Sequence, residues 1–305
     1  MHLQLLAGLF SVVFSSFSLA AQTETRPPSP KVEDENLVVH VGDYRIAFSE
    51  RKGWTMTSLS FRNLPLFGST GANQAVVHVK PPYEKEGDHW IGTAHGREAV
   101  QSVRLLIDNK EIPQSMWMQL PPGKEMAMEK HSRLGPIGQV SRTRLTSEGL
   151  EEDVTLTALE DGDLADFLYV FMHCWMPAMT HWQARTTQGL LADRFYKDDR
   201  RALMQDIRWL TLFSSDQGYG AVIAYPETYK GIPSYSNILW NRPRDNKHYL
   251  KIDPPRGKGT QARYQCRVVG YVASGDWQSS TAQLADKLAE NFRPAGPASV
   301  PSGHQ

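Results

Sequence analysis

Apolar and polar residues alternate with a period of two through most of this chain, and no other feature constrains its fold as strongly. "NLVVHVGDYRIAFSE" reads as two short strands joined at Gly42-Asp43, a pair suited to a tight hairpin. "GWTMTSLSF" follows and turns at Arg62-Asn63, and "QAVVHVK" and "EAVQSVRLLID" read as further strands. "GQVSRTRLTSEGLEEDVTLTAL" is a hairpin about Ser147 to Gly149, "DIRWLTLFSSDQGYGAVIAY" turns at Asp216 to Gly218, and "RYQCRVVGYVAS" adds another strand. One segment has helical spacing instead. In "DWQSSTAQLADKLAENF", Trp277, Thr281, Leu284, Leu288 and Phe292 recur at steps of three or four, with Asp276 or Ser279 as the cap. Many strands, frequent turns and one C-terminal helix predict an all-β fold, an antiparallel β-sandwich forming one domain over residues 36–293.

The ends read differently. Residues 1–20, "MHLQLLAGLFSVVFSSFSLA", have the short apolar run and small residues of a secretory leader cut after Ala20, although only His2 precedes the run. A secreted or periplasmic protein is therefore expected, with no membrane span once the leader is removed. Residues 21–35 are proline-rich and charged, as in a disordered linker, and 294–305 read as a disordered tail. Lysine plus arginine equals aspartate plus glutamate at 33 each, so the chain lacks the basic excess of a nucleic-acid binder. Cys174 and Cys266 lie in apolar strand-like segments and read as buried thiols, with a disulfide between them as the alternative.

"FLYVFMHCWMPAMTHW" (167–182) carries imidazoles and indoles at the end of the most apolar strand. Strict alternation puts Phe167, Tyr169, Phe171, His173 and Trp175 on one face, which would let the strand end present His173 to a cleft walled by Trp175 or Trp182. Glu152 shares a face with Leu150, Val154 and Leu156. A carboxylate there needs a partner, and Arg142 or Arg144 across the hairpin is available. The glycine-bounded segment "GDHWIGTAHGREAV" offers His95 and Glu98 as a proton-sharing pair. The segment 234–253 reads as a loop in which Trp240 would stack on a sugar ring while Asn241, Arg242 and Arg244 grip hydroxyls or a carboxylate. His248 and Tyr249 in the same segment are candidate acid–base groups. The candidate catalytic set is thus His95, Glu98, Glu152, His173, His248 and Tyr249. No phosphate loop, G-x-S-x-G, H-E-x-x-H or C-x-x-C motif occurs, and no histidine pair has metal-ligand spacing, so neither metal nor cofactor is expected.

The opening stretch "VVHVGDYRIAFSERKGWTMTSLSFRNLPLF" resembles the start of galactose-mutarotase-like supersandwich domains. "RLGPIGQVSRTRLTSEGLEEDVTLTAL" and "FMHCWMP" are similar to secreted proteins of that general plan. The resemblance implies a supersandwich fold and a carbohydrate ligand, and it carries over no catalytic motif. Three functions fit: an epimerase or lyase acting on a sugar or uronate, a non-catalytic glycan-binding module, or a structural envelope protein without a cleft. Oligomeric state is not encoded in any of these features.

Overall fold

The computed structural model describes residues 37–231, 235–273 and 275–292. The leader at 1–20, the linker at 21–35 and the tail at 294–305 lie outside the described residues. Two antiparallel sheets face each other, and one helix lies on the outer side of the second.

The first sheet is built from β1 (Leu37–Val41), β2 (Tyr44–Ser49), β3 (Thr55–Phe61), β4 (Leu64–Pro65), β5 (Phe67–Val79) and β6 (Trp90–Gly92) at one side. The chain then enters the second sheet as β7 (Ala99–Ile107), β8 (Lys110–Ile112), β9 (Glu125–Leu134), β10 (Ile137–Thr146) and β11 (Gly149–Ala158). β12 (Ala165–Trp175) returns to the first sheet, and β13 (His181–Thr186) and β14 (Gly189–Arg194) go back to the second. β15 (Arg200–Gln205) joins the first sheet, β16 (Ile207–Ser214) and β17 (Tyr219–Ala224) the second, β18 (Asn237–Asn241) and β19 (Asn246–Ile252) the first. β20 (Gln261–Val272) completes the second sheet before α1 (Trp277–Glu290). The spatial orders are β1-β2-β3-β5-β12-β19-β18-β15, with β4 on β3 and β6 on β5, and β14-β13-β16-β17-β20-β11-β10-β9-β7-β8.

The expected hairpins form where turn chemistry met alternation. Gly42 takes a left-handed backbone (φ 56°) between β1 and β2, and Arg62 and Asn63 do the same before β4. The alternating burial of β10 and β11 matches the period-two reading, with Leu150, Glu152, Val154, Leu156 and Ala158 all turned inward. The segment 234–253 is a correction: most of it is the β18–β19 hairpin, with Arg242 to Asp245 as its turn. Its inward positions include Asn237, Asn241, Asn246 and His248, so polar residues hide the strand pattern.

α1 forms as its spacing requires, and Asp276 caps it by accepting from the Ser279 amide. Its buried stripe is Thr281, Ala285 and Ala289, while Trp277, Leu284 and Leu288 pack at its flanks. The small residues let the helix axis approach β16 and β17, where Trp209, Phe213 and Val222 receive it together with Tyr271 of β20. One outer face of the sandwich is therefore covered by a helix.

Between the sheets lies a continuous apolar core that includes Ile46, Phe48, Leu59, Val77, Leu168, Val170, Leu210, Leu212, Ile223 and Val268. Polar cross-links tie the layers at points within it. Tyr219 donates to the Pro65 carbonyl at 3.0 Å, and the Gly270 amide donates to Tyr44 Oη at 3.0 Å. Lys130, on β9, is 1% exposed and reaches both Glu98 Oε1 (2.8 Å) and the Gly53 carbonyl (2.9 Å). Glu98 thus serves as the counter-charge for a buried ammonium that burial pushes below its ordinary pKa. Removing one member of such a pair strands the other in a low dielectric. Glu98→Ala is expected to lower unfolding free energy by about 3 kcal/mol in urea titrations, and the Glu98→Leu/Lys130→Met double variant to recover most of that loss.

Candidate functional site

Strand β12 organises the chemistry of this fold. Phe167 and Tyr169 point out of the sandwich, and Leu168 and Val170 point in. Regular alternation would turn His173 outward with them. Instead the pairing with β19 slips between Val170 and His173, and Phe171 adopts φ 51°, a left-handed conformation rarely taken by a bulky residue. Beyond this bulge the parity reverses. Phe171, His173 and Trp175 face the core, and Met172 faces outward. The single face expected for Phe167 through Trp175 is therefore divided in two, because one inserted residue inverts every side chain after it.

The inward half meets the other sheet. His173 Nε2 lies 2.6 Å from Glu152 Oε2, with side-chain exposures of 0% and 1%. Cys266, directly paired with Glu152 across β11 and β20, donates its thiol to the same oxygen at 3.7 Å. The other carboxylate oxygen, Oε1, and His173 Nδ1 have no hydrogen-bond partner. Phe67 stacks on the imidazole at 4.9 Å and Trp175 meets it edge-on at 5.4 Å. His248 sits beside it on β19, opposite His173, with Nε2 at 3.0 Å from Asn237 Oδ1 and 3.4 Å from the Tyr225 hydroxyl. Burial, and then the nearby His173, hold His248 well below the usual histidine range. Glu152, His173 and Cys266 have ligand-type atoms within 4.8 Å of one another. Arg142 and Arg144 do not reach Glu152 as the hairpin reading allowed. Arg144 pairs with Glu125 (2.7 Å) and Glu151 (3.0 Å), and Arg142 lies 3.6 Å from Glu129, all on the outer side of the second sheet.

The outward half is different. Trp90 on β6 stacks on Tyr169 (centroids 5.3 Å, 19°), and Tyr169 packs on Tyr249 at 4.4 Å. Phe167 stacks on His78 at 4.8 Å, and His78 on His89 at 5.1 Å. Aromatic and imidazole rings thus run without a break across β5, β6, β12 and β19 on the face that no helix among the described residues covers. Basic groups border them: Lys247 over Tyr249 at 5.8 Å, Lys251 over Phe167 at 4.7 Å, and Arg201 on β15 opposite Trp240. Burial raises the phenol pKa of Tyr169 and Tyr249, so both remain proton donors at neutral pH, and burial lowers the Lys247 ammonium. At one edge His78 Nδ1 meets Asp166 at 2.9 Å, and Lys80 binds the same carboxylate at 3.0 Å.

The residues proposed from sequence therefore separate. Glu152, His173 and His248 are sealed between the sheets, and Glu98 is locked to Lys130. Trp175 (0% exposed) and Trp182 (4%) are core residues and wall no cleft, because the bulge turns the first inward and β13 buries the second. Tyr249 faces the outer aromatic surface, and His95 stands exposed at its rim, 6.4 Å from the Trp90 ring. Desolvation, with Lys247 contributing, lowers the His95 pKa. Trp240 is half-buried on β18 beneath Arg242, whose guanidinium lies 5.4 Å away. The fork of Arg242 is already occupied by Asp245 (2.7 and 2.5 Å), Asn241 is buried and donates to Asp198, and Arg244 is exposed. Sequence reasoning singled out neither Tyr169, Phe167 nor His78 as ligand-facing. The alternation of "QAVVHVK" and of "DFLYV" does put His78, Phe167 and Tyr169 outward, and that signal was available.

Two antiparallel sheets with this order define a supersandwich, the galactose-mutarotase-like class of fold. The solved structures it is similar to include an alpha-N-acetylgalactosaminidase from Bifidobacterium bifidum in complex with GalNAc, at 8% identity and a TM-score of 0.54, covering 83% of this chain and 39% of that one. A Klebsiella pneumoniae protein provisionally assigned as an aldose 1-epimerase aligns at 10% identity and a TM-score of 0.53, over 83% of this chain and 82% of its own. The chain thus spans well under half the length of the bifidobacterial enzyme. No protein-family model and no curated protein matches the sequence.

The suppressed basicity of His248 has a thermodynamic consequence. Its folded pKa lies below the unfolded value of about 6.5, so below that pH the unfolded chain binds a proton that the folded chain refuses. Stability is retained above this value and lost as pH falls through it, approaching about 1.4 kcal/mol per pH unit from this group. Urea unfolding between pH 7 and pH 5 is expected to show that slope, and His248→Gln to flatten it.

Proposed function

We propose that this protein binds carbohydrate on the outer face of the first sheet, and that acidic sugars, uronates above all, are the preferred ligands. The continuous aromatic run from Trp90 through Tyr169 to Tyr249 carries this reading. Flat apolar ring faces match the apolar face of a pyranose, and the half-buried Tyr169 supplies a directional hydroxyl to its edge. Lys247, Lys251 and Arg201 give the same surface a local positive charge within a chain of zero net charge, which favours a carboxylate. The sugar-active proteins of similar fold support the ligand class.

Recognition is favoured over turnover. Of the six acid–base groups proposed from sequence, Glu98, Glu152, His173, His248 and Tyr249 are withdrawn from solvent. An epimerase or lyase reaction on this face would rely on His95, whose lowered pKa keeps it neutral as a base, and on Tyr169 as the acid, with Lys247 holding the carboxylate. Export fits a protein that meets polymeric glycans. The leader at 1–20 supports it, and intact mass of the protein from an exporting host is expected to begin at Ala21.

A glycan screen that includes uronate polymers and neutral sugars, read for binding and for product together, tests the proposal. Tyr169→Ala and Trp90→Ala are each expected to weaken binding about 5- to 160-fold, as loss of a stacking aromatic worth about 1–3 kcal/mol implies. Lys247→Met is expected to weaken uronate binding selectively. Turnover abolished in His95→Gln would establish an enzyme, and binding without product a recognition module. Binding to no glycan by a folded protein would contradict the proposal.

A further inference from the structure

We infer that Glu152, His173 and Cys266 form a metal site that joins the two sheets, and that its occupant is a zinc-like divalent cation. The three side chains come from three strands. β11 and β20 supply a carboxylate and a thiol directly opposite each other in the second sheet, and β12 brings an imidazole from the first. All three are buried and their ligand-type atoms lie within 4.8 Å of one another.

As a purely protein-bonded cluster this arrangement is poor. A short Glu–His contact and a long thiol contact share one oxygen, Oε2. The second carboxylate oxygen and His173 Nδ1 find no partner in the buried interior, where an unsatisfied polar atom is costly. A divalent cation relieves the crowding on Oε2 and gives Oε1 a role, and it fixes the His173 proton on Nδ1 without supplying that donor an acceptor. Thiolate and carboxylate together carry two negative charges, so the occupied site is neutral overall and tolerates a low dielectric. The thiol proton leaves to solvent when the sulfur becomes a ligand, and the imidazole binds through Nε2 with its proton on Nδ1. Oε1, now idle, can supply the fourth donor through a chelating carboxylate. A mixed sulfur, nitrogen and oxygen set in a closed interior suits zinc among the common divalent ions. Donor atoms around tetrahedral zinc stand about 3.3–3.8 Å apart. The Cys266–Glu152 separation of 3.7 Å already fits, and the 2.6 Å Glu–His contact has to open by under about 1 Å.

The rest of β12 is consistent with a demand on this residue. Only the Phe171 bulge turns His173 inward, and Phe67, Phe171 and Trp175 close around its ring. Because the site is sealed, the cation would be captured during folding and exchange slowly afterwards.

The test uses the full chain, unfolded in denaturant with a chelator and refolded with zinc, with cobalt or with chelator alone. One equivalent of zinc per chain is expected after desalting. Thermal midpoint is expected to rise on the order of 10 °C over the chelator-refolded protein. Cobalt refolding is expected to give a thiolate-to-cobalt charge-transfer band that survives Cys174→Ser and disappears in Cys266→Ser. Glu152→Gln, which preserves shape, is expected to refold but retain less than about a tenth of an equivalent of zinc, as loss of a ligand implies. Equal midpoints with zinc and chelator, together with substoichiometric metal in the wild-type chain, would overturn the inference. A cobalt spectrum unchanged in Cys266→Ser would overturn it equally, by showing that the metal sits elsewhere.

Discussion

One inserted residue in one strand underlies both chemical surfaces of this protein. β12 runs through the middle of the first sheet between β5 and β19, so each of its side chains must commit to the core or to the outer face. A regular strand would have kept the same parity from Phe167 to Trp175. The bulge at Phe171 lets the first half give its rings to the outside and the second half give an imidazole to the inside. Holding a phenylalanine at φ 51° costs on the order of 1–3 kcal/mol, and dense packing around it must overdetermine that conformation. Phe171 itself is fully buried in the core, which supplies that packing.

The two outer faces of the sandwich then follow different rules. The second sheet has its outer side covered in part by α1, whose small residues fit closely against Trp209 and Val222, and ion pairs such as Arg144 with Glu125 and Glu151 occupy another part. The first sheet carries half-buried aromatic rings with lysines over them, and no described helix packs there. Trp90, Phe167 and Tyr169 stand half-buried on that face, and stacking ligands are the chemistry such rings suit. Inside, by contrast, the histidines serve cohesion between layers. His173 and Glu152 link the sheets, and His248 completes a chain through Asn237 and Tyr225.

Much of this could be read in the sequence, and the failures have physical causes. The hairpins at Gly42, Arg62-Asn63 and Ser147 to Gly149 were legible because turn chemistry and alternation agree there. Glu152 was legible as an anomaly, a carboxylate among inward aliphatic residues, yet its partner was not. That partner lies on the opposite sheet, and the bulge that delivers it depends on one φ angle that no periodicity encodes. The β18–β19 hairpin was hidden by its own interior, since asparagines and a histidine occupy inward positions and make a strand look like a loop. Trp175 and Trp182 were read as walls of a cleft because they follow a strand end, where the structure continues the core. The helix was found, but its contact stripe was displaced toward alanines, which allow closer approach than the large residues expected to make it.

Hydrogen–deuterium exchange of the folded chain, with and without saturating oligouronate, tests most directly whether the outward half of β12 belongs to a ligand face. The account predicts added protection in peptides covering β6, the Phe167–Tyr169 portion of β12 and β19, with the second sheet unchanged. Protection confined to the second sheet or to α1, or binding that leaves β6, β12 and β19 unaltered, would contradict it.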